Sequence, residues 1–204
     1  MYIPELYKNE NQKDIQKFIH NNGFGILVNQ TVGKLWATHI PFLMEEKNGK
    51  QILVGHVSRE NPQAEIFKDS EEVLAIFLGA HSYVSSSWYD HENVPTWNYL
   101  AVHVYGKVKL HSLEETIEGL RRLVNKYETN SEKPVRIDDL SKKTMLQAKG
   151  IVSFEIEITS IEAQKKLSQN RDDKNYQTII TELEKTNDNQ AIAVADEMKK
   201  NRKL

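Results

Sequence analysis

VHVYGKVKL, residues 102–110, decides the fold class of this chain. Valine or leucine occupies positions 102, 104, 108 and 110, whereas the odd positions between them carry histidine, tyrosine and lysine. This period of two places the apolar side chains on one side of an extended backbone, facing a core, and leaves the other side to water or to a partner. The segment is therefore predicted to be a β-strand.

Further strand-like segments lie on its N-terminal side. They are GILVNQ (25–30), KLWATHIPF (34–42) and QILVGHV (51–57), and the pair Asn48-Gly49 between the last two predicts a hairpin because both residues tolerate positive φ. EVLAIFLGAHSYVS (72–85) is a long apolar run, which predicts a strand buried on both faces at the centre of a barrel. Residues 154–159 alternate again and predict a strand that returns to the barrel.

Helical spacing predicts helices around these strands. The expected helices cover residues 12–20, 112–128 and 137–148, and two more follow residue 171. Ser112 and Glu115 fit a capping box at the start of the second helix. We therefore predict an α+β fold built on one barrel over residues 1–171, with a C-terminal helical appendage over residues 172–204.

Composition excludes several classes of function. The 27 Lys and Arg residues nearly balance the 29 Asp and Glu residues, so the chain has no overall positive field to attract DNA. The absence of cysteine excludes disulfides, thiolate catalysis and zinc sites with sulfur ligands. The glycine-rich dinucleotide fingerprint, the P-loop, HExxH and GxSxG are absent, which argues against the common nucleotide-binding and hydrolase classes.

Signals for export and membrane insertion are also missing. No run approaches the roughly 18 consecutive apolar residues that a membrane span needs. The start, MYIPELYKNENQKD (1–14), lacks the apolar core of a signal peptide. We therefore expect a cytoplasmic protein without a membrane span.

A first candidate binding cluster is GHVSRENP, residues 55–62. Ser58, Arg59 and Asn61 emerge together where a predicted strand ends. An arginine beside a hydroxyl and an amide can bind a phosphate dianion with charge-assisted hydrogen bonds. The alternative is a polar turn with Arg59 in a surface ion pair.

A second cluster is SYVSSSWYDHENVPTWNY, residues 82–99, which contains two of the three tryptophans and three of the eight tyrosines. Such a density of rigid aromatic faces suits a flat ring system, and Thr96 and Asn98 could hydrogen-bond to polar groups attached to that ring. An aromatic interface or core plug is the alternative.

A third cluster is KKLSQNR, residues 165–171, which follows the last predicted strand. Its lysines, serine, amides and arginine supply many donors, as a phosphate or the electron-rich edge of a ring requires. A basic helix terminus is the alternative. Four histidines on or beside strands, at positions 39, 56, 81 and 103, show no metal-ligand spacing, so no metal site is predicted.

Motifs in these clusters resemble those of the PaiB type of FMN-binding protein, in the pyridoxamine-phosphate-oxidase-like split-barrel superfamily. The similarity runs in order from residue 1 to about residue 171, and VPTWNY and KLSQNR are its most specific parts. The matching motifs are MYIP (1–4), HIPF (39–42), GHVSRENPQ (55–63), SYVSSSWY (82–89), VPTWNY (94–99) with the VHVYG that follows, and KLSQNR (166–171).

The resemblance implies a six-stranded split barrel that forms a homodimer, with FMN in clefts at the dimer interface. It places segment 58–61 near the cofactor phosphate or ribityl chain, and the aromatic and closing segments along the rest of the cofactor. The cofactor-binding residues that it implies are Ser58, Arg59, Asn61, Ser85, Ser86, Trp88, Tyr89, Thr96, Trp97, Asn98, Lys166, Ser168 and Gln169.

The resemblance also implies a function in negative regulation of sporulation and degradative-enzyme genes. Because the charge is balanced and no helix-turn-helix with a basic recognition helix is visible, we expect that regulation to be indirect. The best basic candidates for DNA are Arg121, Arg122 and the terminal run Lys199, Lys200, Arg202 and Lys203. The alternative function is an FMN-dependent oxidoreductase, such as a flavin reductase or a pyridoxamine-phosphate-oxidase-like enzyme.

Overall fold

The described part of the chain contains seven strands and six α-helices. The computed structural model describes residues 1–31, 33–67 and 72–202. The strands are β1 (Phe24–Thr31), β2 (Lys34–Pro41), β3 (Leu43–Lys47), β4 (Lys50–Ser58), β5 (Glu72–Val84), β6 (Thr96–Leu110) and β7 (Ile151–Lys166). The helices are α1 (Gln12–Asn21), α2 (Pro62–Ile66), α3 (Leu113–Glu128), α4 (Lys142–Met145), α5 (Asp173–Glu184) and α6 (Asn189–Asn201).

The strands form one sheet in the order β2-β1-β5-β6-β7-β4-β3. β1 runs antiparallel to β2 and to β5, and β4 runs antiparallel to β3 and to β7. The register brings Ile26 opposite His39 and Gly55 opposite Phe154. The predicted α+β class is confirmed.

The second and third strands, β2 and β3, differ from expectation in one respect. The predicted hairpin at Asn48-Gly49 is confirmed, since both residues have positive φ, 54° and 75°. However, the chain between Lys34 and that turn forms two strands, β2 and β3, which raises the implied six strands to seven. The break lies at Phe42, whose N–H donates to Gly23 O at 2.7 Å, directly after a proline that cannot donate to a ladder.

In the single chain β5 is not buried on both faces along its length, so the prediction of burial on both faces was wrong. Val73, Ala75 and Phe77 are buried, but Leu78 is 54% exposed and Tyr83 is 46% exposed. An apolar run does not by itself show how many faces of a strand are covered.

The prediction of one continuous helix over residues 137–148 was also wrong. It contains a 3₁₀ turn (Ile137–Asp139), the short α4, and a second 3₁₀ segment (Leu146–Gly150). Leu140 is extended at ψ 142°, and the Ser141 side chain then caps a new start by accepting from Thr144 N. A capping serine in mid-segment therefore restarts the helix.

The chain divides into two compact units. Unit 2 comprises Ile19–Ile76 and Val104–Ile161. Its core contains Leu53, Phe67, Phe154 and Ile156, with the rings of Phe67 and Phe154 edge to face at 5.0 Å. The predicted capping box of α3 is confirmed here, because the side chains of Ser112 and Glu115 each bond the other's backbone N–H.

Unit 1 comprises Met1–Phe18, Phe77–His103 and Glu162–Leu204. Its core joins the end of β5 and the start of β6 to the C-terminal helices, both of which were predicted. Tyr176 on α5 is fully buried, and its hydroxyl donates to Met198 O on α6 at 2.8 Å. The boundary at residue 171 stays a prediction; in the structure, the helices beyond it share a core with Val84, Tyr89 and Leu100.

Candidate functional site

A buried pair at the end of β7 shapes the closing loop of unit 1. Ser168 has φ 59°, a left-handed conformation that is rare for residues other than glycine, asparagine and aspartate. Its Oγ donates to Asn98 Oδ1 at 3.0 Å, and both side chains are buried. Asn98 Nδ2 in turn lies 3.5 Å from Met198 Sδ. These two predicted residues therefore hold the loop to β6 and α6.

Gln169 fixes the same loop internally. Its side-chain oxygen accepts from Leu167 N at 2.7 Å, and its side-chain nitrogen donates to Lys165 O at 2.5 Å. Arg202 donates to the carbonyls of Gln169 and Arg171 at 3.0 and 2.9 Å. The backbone of the loop is thus rigidly defined.

Lys166 and Thr96 were each predicted as cofactor-binding residues, and the structure brings them together as a second pair. Lys166 Nζ donates to Thr96 Oγ1 at 2.6 Å. Burial lowers the pKa of Lys166 from its ordinary value of 10.5, and no carboxylate of the described residues forms an ion pair with it. A half-buried ammonium without an acid partner is a ready site for an anion.

The aromatic residues of the second cluster lie in two environments. Tyr89 is buried in the unit 1 core, and Trp88 packs against that core. Trp97 is 53% exposed; its ring is stacked with His81 at 6.3 Å and meets Tyr83 edge to face at 6.1 Å. An open aromatic face is therefore available at Trp97, and the predicted set omitted the two residues beside it.

The serines before Trp88 form a short cap. Ser85 Oγ accepts from Ser87 N at 3.2 Å and caps the 3₁₀ turn Ser86–Trp88. Ser86 is half-buried within that turn. These hydroxyls set the path of the aromatic segment.

Arg171 is a functional candidate that the predicted residue set omitted. Its guanidinium carbon lies 4.9 Å from the centre of the Tyr89 ring, a cation–π distance. Its Nε is buried and has no hydrogen-bond partner in the part of the chain that the structure describes. The KLSQNR motif contained the signal, but only the fold shows that this arginine lacks an acceptor.

Ser58, Arg59 and Asn61 lie together in unit 2. Arg59 is exposed, and its Nε and Nη2 donate to the carbonyls of Lys149 and Ile151 at 2.9 and 3.0 Å. Asn61 caps α2 through Gln63 N at 2.9 Å, and Ser58 Oγ accepts from Glu60 N at 3.3 Å. Among the described residues, no partner occupies the guanidinium Nη1.

Unit 2 also contains a charged cleft that the sequence did not predict. The cleft has a volume of about 1160 Å³ and contains none of the predicted cofactor-binding residues. Glu155 is buried at one side of the cleft. Its Oε2 lies 2.5 Å from Lys47 Nζ and 3.3 Å from His111 Nε2. Burial alone would raise the pKa of Glu155, but hydrogen bonds from Lys47 and His111 outweigh it and lower that pKa.

Two absences bear on the class of site. In residues 1–31, 33–67 and 72–202, no group of three or more metal-ligating side chains comes together. No described helix is both long enough and apolar enough to cross a bilayer.

Comparison with known proteins identifies the family of the chain. The family described as "Putative FMN-binding domain" matches residues 1–160. "Protease synthase and sporulation protein PAI 2" of Bacillus subtilis is 42% identical over 199 residues, which cover 97% of this chain and 96% of that protein.

Two solved structures share the fold at low identity. The FAD and heme binding protein from Mycobacterium smegmatis has a TM-score of 0.61 at 12% identity, covering 78% of this chain and 73% of that one. The flavocytochrome Anf3 from Azotobacter vinelandii has a TM-score of 0.60 at 13% identity, covering 84% and 75%. The chain has the split-barrel fold, and it belongs to the FMN-binding domain family, of the PaiB type.

Proposed function

We propose that this chain binds FMN as a cytoplasmic homodimer and regulates protease production and sporulation indirectly. The observation that carries the FMN site is Lys166, a half-buried cation held on Thr96 without a carboxylate partner among the described residues. The regulatory role follows the name of the Bacillus subtilis relative, which covers almost the whole chain.

The donor set of unit 1 fits FMN. The cofactor combines a flat aromatic ring with a phosphate dianion. Unit 1 offers the cation Lys166 on Thr96 and, on the opposite face of β6, the exposed ring of Trp97, so FMN would reach both around the start of this strand. The buried Arg171 Nε, which lacks an acceptor in the described chain, is consistent with an anionic ligand. Bound FMN supplies electron- and hydride-transfer chemistry.

In this proposal the predicted residues have two kinds of role. Lys166, Thr96 and Trp97 contact the cofactor. In the proposed dimer the second copy contributes the Arg59 guanidinium from its segment 58–61. The buried or capping members of the set position these groups. They are Ser58, Asn61, Ser85, Ser86, Trp88, Tyr89, Asn98, Ser168 and Gln169.

A homodimer is supported by the exposed aromatic face of unit 1. Tyr83 and Trp97 are 46% and 53% exposed in the single chain and lie in contact on neighbouring strands. Clustered exposed aromatic rings are typical of protein or ligand interfaces. A second copy of the chain would cover this face and border the bound flavin.

Indirect regulation is supported by the ion pairs of the basic residues. Arg121 pairs with Glu118 and Asp138, and Arg122 with Glu45 and Glu118. The terminal cations are paired too, while Lys203 lies outside the described residues. Those pairs are Lys199 with Glu184, Lys200 with Glu197, and Arg202 with Asp173.

The visible spectrum of the purified protein tests this proposal. Flavin bands that appear or shift on addition of FMN support the cofactor assignment, and no spectral change with excess FMN would contradict it. Rapid bleaching of bound flavin by NADH or NADPH would favour the oxidoreductase alternative over a regulatory role.

A further inference from the structure

Arg171 is held in place by its neighbours, but no carboxylate of the described residues pairs with its guanidinium. Its guanidinium stacks on Tyr89 at 4.9 Å, and its backbone carbonyl accepts from Arg202 Nη1 at 2.9 Å. Arg171 Nε and Tyr89 Oη are both buried and without a hydrogen-bond partner in the described chain. Two unsatisfied polar atoms in one stack indicate a missing acceptor, since nearly all buried polar groups in folded proteins are paired.

The nearby carboxylates do not supply that acceptor. Asp172 and Asp173 follow Arg171 directly in sequence, and Asp90 follows its stacking partner Tyr89. Each of these aspartates is engaged elsewhere. Asp172 accepts from Asn175 at 3.0 and 2.8 Å, Asp173 pairs with Arg202 at 3.2 Å, and Asp90 pairs with Lys174 at 2.8 Å.

The loop that carries Arg171 is also held in place before any ligand arrives. The buried bond between Ser168 and Asn98 fixes one side of the turn, and Arg171 N donates to Ser168 O at 3.0 Å. A preorganised arginine loses little conformational freedom when it binds a ligand.

We propose that Arg171 binds the phosphate of FMN and thereby selects FMN over riboflavin. This inference rests on the proposed FMN site and names the group in it that recognises the phosphate. A phosphate dianion accepts hydrogen bonds from the guanidinium and compensates its charge, and arginine is well suited to phosphate because its donors form a planar fork. Riboflavin, which lacks the phosphate, gains nothing from this contact.

The test compares the affinities of full-length protein for FMN and for riboflavin by flavin-fluorescence quenching. Arg171→Met should weaken FMN binding about tenfold or more while changing riboflavin affinity less than about twofold. Lys165→Met is the matched control, because it removes a cation of the same segment that pairs with Asp14 at 3.0 Å. Both affinities should be unchanged in that control.

Three outcomes overturn the inference. Equal losses for both flavins in Arg171→Met would make Arg171 structural, and unchanged FMN affinity would remove it from the site. Wild-type protein that binds neither flavin would refute the proposed function and this inference with it. If Arg171→Met does not fold, as judged by circular dichroism, Arg171→Gln must show the same selective loss of FMN affinity.

Discussion

At the scale of single residues, Arg59 combines a structural role with a proposed role in binding. Its Nε and Nη2 are used on backbone carbonyls, so its contribution to a ligand comes through Nη1. Arg59→Ala should weaken FMN binding about tenfold, since a charge-assisted hydrogen bond contributes roughly 1.5–3 kcal/mol. A fluorescence titration measures this effect.

The control for Arg59→Ala is a measurement of its stability. Loss of two hydrogen bonds to carbonyls should also lower the urea midpoint, so the titration must be run where the variant is fully folded. An FMN affinity equal to that of the wild type would exclude Arg59 from the site.

The sequence indicated candidate residues for the site, but not which of these residues hydrogen-bond to each other. Ser168 and Asn98 stand 70 residues apart, and so do Lys166 and Thr96; only the adjacency of β6 and β7 in the sheet brings each pair together. Arg171 remained outside the predicted set because a buried donor without an acceptor is a property of the packed structure. Local sequence reports neither burial nor partners.

At the scale of elements, local signals predicted most boundaries. The Asn48-Gly49 turn, the capping box of α3 and both C-terminal helices depend on backbone preferences within a few residues, and these are visible in sequence. The division between β2 and β3 at the fully buried Phe42 and the incomplete burial of β5 depend instead on tertiary packing. Such tertiary effects override local pattern.

Glu155 on β7 gives a pH-dependent prediction for the sheet. Its pKa is below the ordinary value of 4.5 in the folded state, so its stabilising contribution is fully present above pH 4.5. As pH falls below 4.5 and through the lower folded pKa, the carboxylate takes up a proton and the contribution is lost.

Glu155→Gln should therefore destabilise the protein at pH 7 by roughly 1–3 kcal/mol, because Lys47 and His111 lose their charged acceptor. Urea unfolding measures the difference, which should shrink as the wild type is taken to more acidic pH. A difference that stays constant with pH would show that the charge of Glu155 is not what stabilises the fold.

At the scale of the whole molecule, we predict a homodimer. Light scattering should report about twice the chain mass of 23.6 kDa, because a dimer interface would bury the exposed Tyr83 and Trp97 rings. Trp97→Lys should shift the mass toward the monomer by placing a charge in that face. A wild-type monomer at micromolar concentration would contradict the shared site.

The charge distribution predicts weak DNA binding. The predicted DNA-contact candidates Arg121, Arg122, Lys199 and Lys200 are paired with carboxylates of the chain, which reduces what they offer to phosphates. An anisotropy titration at about 150 mM salt should give no affinity tighter than the non-specific range of roughly 10⁻⁴ to 10⁻⁶ M. Nanomolar, sequence-selective binding would make the protein a direct repressor.

A crystal structure of the full chain grown with FMN would show whether the cofactor binds unit 1 beside Lys166, Thr96 and Trp97. We expect density for the isoalloxazine ring on Trp97, with Lys166 in hydrogen-bond contact with the cofactor and the phosphate on Arg171. FMN bound instead in the charged cleft of unit 2, or bound without contact to any of these side chains, would refute the proposed site.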